Sequence, residues 1–317
     1  MNRQTSAHEQ MATLPQLSIV ICTYNRVTLL ADCLQSLVDQ TLPPDQFEVI
    51  LVDNNSSDGT ADLVRAWQAK YSFIHYVHEN KQGLSHARNA GWKKARGEYV
   101  AFTDDDTQAI PDWAEKILAA FKTVEPLPSA VGGMITPRLE KKPPWWFSPR
   151  LELRTWGESP GYLDTPTAHY GFSGANMAFP RQILSLAGGF NPQFGMSGDR
   201  VWLGEETDLF MRIYEKQPYF WYDPSIRVKH YLSERQMSLR DRLYRKYQTG
   251  RTRRQLEDKR VTLNMILQEI IGVLHLFREK VADPPFSLSY VVVSVLERIF
   301  DRIGFFAGRT KTLDNAA

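Results

Sequence analysis

The chain is poor in cysteine. Of 317 residues only Cys22 and Cys33 carry a thiol, one in an apolar strand pattern and one in a helical pattern, where cysteine serves as a small buried hydrophobe. Two such residues make neither a disulfide framework nor a zinc site, and a reducing compartment is the default. No run of about 18 apolar residues occurs; the best candidate, 286–296, runs into Glu297, Arg298, Asp301 and Arg302, so a membrane-spanning helix is not expected. The stretch 1–16 lacks an apolar core behind a basic start, so no secretory signal is expected; it reads as a disordered tail and the location as cytoplasmic. Net charge is also nearly absent: 38 Lys and Arg face 36 Asp and Glu. No global field for polyanions follows, and no nucleic-acid-binding motif accompanies the basic residues gathered toward the C-terminus.

What is present is a regular alternation of apolar runs and amphipathic stretches from 17 to 124. Strands are predicted over 17–23, 47–52, 73–78 and 99–103, with helices near 27–39, 60–70 and 84–95. A βαβ series of this kind predicts an α/β fold, with a mainly parallel sheet covered by helices, whose ligands bind at the carboxyl ends of the strands. The polar clusters sit at those ends: Thr23-Tyr24-Asn25-Arg26, then Asp53-Asn54-Asn55-Ser56-Ser57-Asp58, then Asn80-Lys81-Gln82-Gly83, then Asp104-Asp105-Asp106. Three adjacent carboxylates repel one another unless a cation or solvent offsets the charge, so the triplet points to a hard metal ion and the phosphates it carries. Turn and capping chemistry is the plainer alternative, as it is for Ser57 and Asp58. Gly83 opens a helix where the backbone can approach a phosphate, and Arg88 adds a charge to it.

From 125 to 170, prolines alternate with aromatics, among them Trp145 and Trp146. The stretch reads as a functional loop or lid whose aromatics either platform sugar rings or fill a core. Gly174 and Asn176 follow in a polar turn, and with the two tryptophans they are candidate acceptor contacts. Glu205, Glu206 and Asp208 open the next helix. Helix-dipole stabilisation explains acids there, and so does a general base facing a cleft. Two strand-like pieces, 219–222 and 226–228, precede His230. Helices are predicted over 237–255, 261–279 and 288–303. The first carries Arg240, Arg242, Arg245, Lys246, Arg251, Arg253 and Arg254, which gives either a solvated face or a surface for anionic lipid, with Phe300, Phe305 and Phe306 as anchors.

Taken in order, Ser18 to Arg26, Val52 to Thr60, Gly83 to Gly91, Gly97 to Asp106 and Gly204 to Arg212 resemble the motifs of the family 2 glycosyltransferases, inverting nucleotide-sugar transferases with a GT-A fold. The resemblance covers about 17–232, with a nucleotide-binding half over 17–124, an acceptor-binding half over 125–232 and a helical extension over 233–317. It implies a nucleotide-sugar donor, UDP-linked by expectation, and transfer of one sugar to a polysaccharide or lipid-linked glycan. Thr23, Tyr24, Asn25, Arg26, Asp53, Asn55, Lys81, Gly83, Arg88, Asp104 and Asp105 are then expected at the nucleotide. Asp106, Asp104 and His230 are expected at Mg²⁺ or Mn²⁺. The family commonly carries Glu-Asp where this chain has Glu205-Glu206, so Glu206 stands at the base position, one methylene longer, with Asp208 in reserve. Neither the Gln-x-x-Arg-Trp element nor the membrane helices of processive synthases are present. The competing readings are a nucleotide-binding scaffold without catalysis, suggested by the Glu206 departure, and a sugar nucleotidyltransferase, disfavoured by the lack of an early Gly-rich triphosphate loop.

Overall fold

The computed structural model describes residues 14–164, 171–197, 203–257 and 288–308, together with 271, 272, 274–277 and 279. Most of the predicted tail over 1–16 and most of the predicted helix over 261–279 lie outside the described residues.

Four strands open the fold, β1 (Leu17–Thr23), β2 (Phe47–Asp53), β3 (Ile74–His78) and β4 (Tyr99–Asp104), linked by α1 (Val27–Val38), α2 (Thr60–Lys70) and α3 (Leu84–Lys94). Alternation along these strands divides the interior in two. Leu17, Ile19 and Ile21 face one core with Leu30, Leu34, Leu37, Ile117 and Phe121. Val20, Val52, Val100 and Phe102 face the other with Ala87, Phe179, Phe190 and Phe210. Because successive side chains point to opposite faces, a strand apolar at every position belongs between two helical layers.

The chain continues through β5 (Thr107–Ala109), α4 (Trp113–Thr123), β6 (Ala130–Leu139), β7 (Gly161–Tyr162), β8 (Met177–Pro180), α5 (Arg181–Ala187), α6 (Glu205–Tyr214) and β9 (Phe220–Leu232). One sheet results, in the order β3-β2-β1-β4-β8-β6-β9-β5, with β7 on β9. β1, β2, β3, β4, β6 and β9 all run the same way, while β5, β7 and β8 oppose them. The carboxyl ends of β1, β2, β4 and β9 therefore meet on one edge. Residues on both sides of position 124 supply strands to this single sheet.

Two expectations need correction. The stretch 125–170 is not irregular throughout, since β6 lies within it. Gly132, Gly133 and Pro137 lower its strand propensity, but Pro137 falls beyond both the short β8 pairing at Val131 and Gly132 and the bridge from Ile135 to Arg154. The two pieces at 219–222 and 226–228 are one strand. The register steps from Gly133↔Asp223 to Met134↔Arg227, so Pro224 sits in a bulge that absorbs its missing donor.

Beyond β9, α7 (Leu239–Glu257) and α8 (Leu288–Ala307) pack against each other. Their backbones nearly touch: a Cβ on Gly250 would lie 1.8 Å from the Asp301 carbonyl oxygen, and one on Gly304 would lie 1.9 Å from that of Tyr247. The basic residues of α7 do not all form a solvated face: Arg240 and Arg251 are exposed, but others turn inward. Arg242 is buried with ion pairs to Glu152 and Glu297, Arg253 reaches Asp301 at 3.0 Å, and Arg254 is buried. The Arg242 guanidinium can be buried this way because it is paired and hydrogen-bonded. Phe305 is buried beneath Arg253 and Arg254, with ring centroids 5.0 and 5.5 Å away, so it is no surface anchor.

Candidate active site

The loops after β1 and β2 are tied together before anything binds. Asn25 adopts a left-handed φ of 52°, its N–H donates to Ser56 Oγ at 3.0 Å, and its Oδ1 accepts from the Ser57 N–H at 2.8 Å. Asp53 is buried, accepting from the Tyr76 hydroxyl at 2.8 Å and from the Ser56 N–H at 2.9 Å. Asn54, not singled out from sequence, rivets the third loop to the second. Its amide donates to the carbonyls of Glu79 and Lys81 at 3.1 and 2.7 Å, and its Oδ1 accepts from the Gly83 N–H at 2.8 Å. Tyr24, Asn55 and Lys81 stay exposed around this frame.

The acidic triplet divides by direction. Asp105 turns inward and accepts from Thr23 Oγ1 at 2.7 Å. Burial pushes its carboxyl up to about 7, against the opposing charge of Arg26. Asp104 and Asp106 converge with His230 from β9, and their ligand atoms lie within 4.8 Å of one another. The antiparallel pairing of Thr107 with His230 brings the end of β9 to the triplet. Burial also raises Asp104, which Arg88 opposes and Asp106 reinforces.

These residues fit a divalent cation. Asp106 Oδ1 is buried without a hydrogen-bond partner among the described residues, and two carboxylates with an imidazole suit Mg²⁺ or Mn²⁺. Arg26, expected at the nucleotide, ion-pairs directly with Asp106 and lies 3.6 Å from Asp105. Its guanidinium supplies the positive charge the carboxylates require, on a side chain still 41% exposed.

Arg88, from α3, joins this centre to the second acidic cluster. It is buried, 2.8 Å from Glu205, 3.5 Å from Glu206 and 3.5 Å from Asp104. Burial alone would lower its proton affinity, but Glu206, Glu205 and Asp104 more than reverse that, so it stays charged. The two glutamates split in opposite directions. Burial and the neighbouring Glu206 charge hold Glu205 well above the usual carboxylate range. Glu206 is also penalised by burial, yet Arg88, a hydrogen bond from Glu205 and the backbone N–H groups, Gly174's among them, hold it below that range. The two carboxyls titrate as a pair in which Glu206 is the member favoured as the anion, with 23% of its side chain exposed.

Gly174 belongs to this clamp. Its N–H donates to Glu206 Oε1 at 3.1 Å, and a Cβ there would fall 2.0 Å from the Arg88 guanidinium. Three expected site residues stand elsewhere. Asn176 is buried and committed: its Oδ1 accepts from Trp113 Nε1 at 2.9 Å, and its amide donates to Met134 and Ile226 carbonyls at 3.1 and 3.0 Å. It braces the sheet, leaving no free donor for an acceptor. Asp208 is held by Arg212 at 2.7 Å and is no free base. Trp146 packs with Phe147 beside Leu232 and Met237, whereas Trp145 is 91% exposed.

Comparison with known proteins places the chain in a family and a fold. The chain is 25% identical over 291 residues to the glucosyl-dolichyl phosphate glucuronosyltransferase of Haloferax volcanii, covering 88% of this chain and 91% of that protein. It is 29% identical over 224 residues to the validoxylamine A glucosyltransferase of Streptomyces hygroscopicus subsp. limoneus, covering 63% and 48%. The mannosyltransferase of Pyrobaculum calidifontis, solved with GDP-Man and Mn²⁺, shares the fold with a TM-score of 0.56 at 18% identity, over 93% of this chain and 74% of that one. So does Staphylococcus aureus TarS 1-349 with UDP, at 0.55 and 16% identity over 92% and 90%. The profile of Glycosyl transferase family 2 matches residues 18–185, more than half of the chain, and the protein belongs to that family.

Proposed function

We propose that the protein transfers one sugar, with inversion, from a nucleotide-diphosphate sugar to a lipid-linked or polysaccharide glycan, with Glu206 as the general base. The observation that carries this reading is the single Arg88 guanidinium held between Asp104 and the ionised Glu206. It fixes the base relative to the carboxylates that would hold the donor's metal.

In the reaction, the acceptor hydroxyl oxygen bonds to the anomeric carbon as the bond from that carbon to the diphosphate oxygen breaks. The hydroxyl proton passes to Glu206, and the electron pair leaves with the nucleotide diphosphate. A hydroxyl is far too weak an acid to ionise unaided, so an oriented carboxylate is required. Arg88 and the Gly174 N–H aim Glu206, and the raised proton affinity of Glu205 opposes a second charge beside it. Asp104, Asp106 and His230 would hold Mg²⁺ or Mn²⁺, which supplies charge neutralisation on the diphosphate when bound. Tyr24 is positioned to stack on the base of the nucleotide, and Trp145 offers an open face to an acceptor sugar.

The lipid-linked choice is supported by similarity along nearly the whole chain to a protein named for a dolichyl-phosphate-linked substrate. Such an acceptor would bring the enzyme to a membrane surface. The deciding experiment compares turnover of nucleotide sugars, with Mn²⁺ and in chelator, by the wild type and Glu206→Gln. Turnover is expected to fall about 10²- to 10⁴-fold while nucleotide still raises the thermal midpoint. Nucleotide binding without turnover of any donor by the wild type would leave a binding protein instead.

A further inference from the structure

The α7–α8 pair is built inside out. The buried residues of α8 include Glu297, Asp301 and Gly304 beside the apolar Val291, Val293 and Phe305, and the two acids pair with Arg242, Lys246 and Arg253. The outward face is apolar: Leu288, Val292, Ile299 and Ile303 are 62%, 45%, 36% and 48% exposed. At about 100° per residue these four fall within a roughly 60° arc. Single exposed aliphatic residues are ordinary, but a continuous stripe of them marks a surface that meets something. Ile271, Leu274 and Phe277, in the segment between the two helices, are exposed as well.

The rim of the stripe is basic and aromatic. Phe300 on α8 lines an open groove of about 930 Å³ with Arg235, Arg240, Tyr244 and Tyr247. Arg235 is 87% exposed, although it touches Asp241 at 3.3 Å, and Arg240 is exposed with no ion pair among the described residues. Two copies meeting through one such patch across a two-fold axis would set arginines against arginines. Anionic headgroups complement the rim instead, while acyl chains complement the stripe and the tyrosines suit the boundary between them. No helix among the described residues is long and apolar enough to cross a membrane, so the contact is with the surface.

We infer that the outer face of α7 and α8 docks on an anionic lipid bilayer, with the α8 stripe entering the interface and Arg235 and Arg240 meeting headgroups. This deepens the reading of a lipid-linked acceptor, and vesicle binding is measured without sugar transfer, so either can fail while the other stands. The test is flotation of the full chain with phosphatidylcholine vesicles, with and without phosphatidylglycerol, at low and high salt. Binding is expected only with the anionic lipid and is expected to weaken with salt. Val292→Asp/Ile303→Asp should lower it at least about tenfold and Arg240→Ala about fivefold, both with unchanged thermal midpoint and nucleotide binding. The inference is overturned if the wild type does not float with anionic vesicles or if both variants float as well as it does. It is equally overturned if light scattering finds a dimer that the double substitution splits, because a second copy then covers the stripe.

Discussion

The sheet and the C-terminal helix pair solve burial in opposite ways. In the sheet, β1 to β4 hide aliphatic side chains between helical layers, and carboxylates collect at the carboxyl ends of the strands. In the helix pair, arginines and carboxylates are hidden and aliphatic residues face outward. Apolar burial needs no particular partner, whereas a buried charge needs one at a defined place. The sheet is thus held by many interchangeable contacts. The helix pair depends on a few specific ones, and one of these, Glu152, comes from the segment between β6 and β7.

The largest effect should come from removing the shared cation. Arg242→Met takes the nearest cation from Glu152 and Glu297 and leaves them only Arg245 and Lys246 at 3.6 Å, and a loss of up to about 3 kcal/mol is expected in chemical denaturation. Replacing all three, as Arg242→Met/Glu152→Leu/Glu297→Leu, should restore most of it, because an apolar trio no longer demands a partner. Recovery would separate the two regions: no such compensation exists for Leu34→Ala in the sheet core, where a cavity remains whatever else is changed. If the triple variant stays as unstable as the single one, the helix pair is held by packing and the contrast fails.

That contrast also sets what could be read from the sequence. β1 to β4 and their loops were legible because short apolar runs set between amphipathic stretches, with Gly, Asn and Asp punctuation, are local signals. β6 was missed because Gly132, Gly133 and Pro137 argue against a strand, and the pairing with β9 and β8 on its two sides overrides them. The acids were visible as candidates, but their division of labour was not. Arg88 lies 117 residues from Glu205, and nothing local shows that one guanidinium holds Asp104 and Glu206 together. In the same way, Arg242 looks like part of a basic surface until partners 90 and 55 residues away are placed on it.

Acid should act on the two regions with opposite sign. Asp105, raised to about 7 by burial, binds its proton more tightly folded than unfolded. In the metal-free protein its cost is fully present above that value and fades as pH falls toward the ordinary carboxylate range. Glu152 is the reverse. Burial opposes its charge, but Arg242, Arg245 and Arg154 hold it below the ordinary range. Its contribution is present above the unfolded value and is lost as pH falls through the folded one. In chelator, the thermal midpoint should therefore rise as pH drops from about 7 toward 5, and Asp105→Asn should flatten that rise. Further acidification should loosen α7 from the Glu152 segment first, seen in the fluorescence of Trp145 and Trp146. A midpoint that falls steadily from neutrality would show that the buried acids of the site do not govern this range.

The smallest effect is the sharpest test of the inverted helix. Replacing a buried aliphatic residue by serine, as at Ile19, should cost several kcal/mol through lost burial and an unsatisfied hydroxyl. Leu288 is 62% exposed on α8, so Leu288→Ser should leave stability within about 0.5 kcal/mol. Its consequence should appear only where the face is used, as weaker flotation with anionic vesicles. A large loss of stability would mean that the stripe is covered within the chain itself. An unchanged midpoint with reduced lipid binding would instead assign the stripe to docking, and would explain why a helix that could have buried its aliphatic side chains keeps them outside and its charges within.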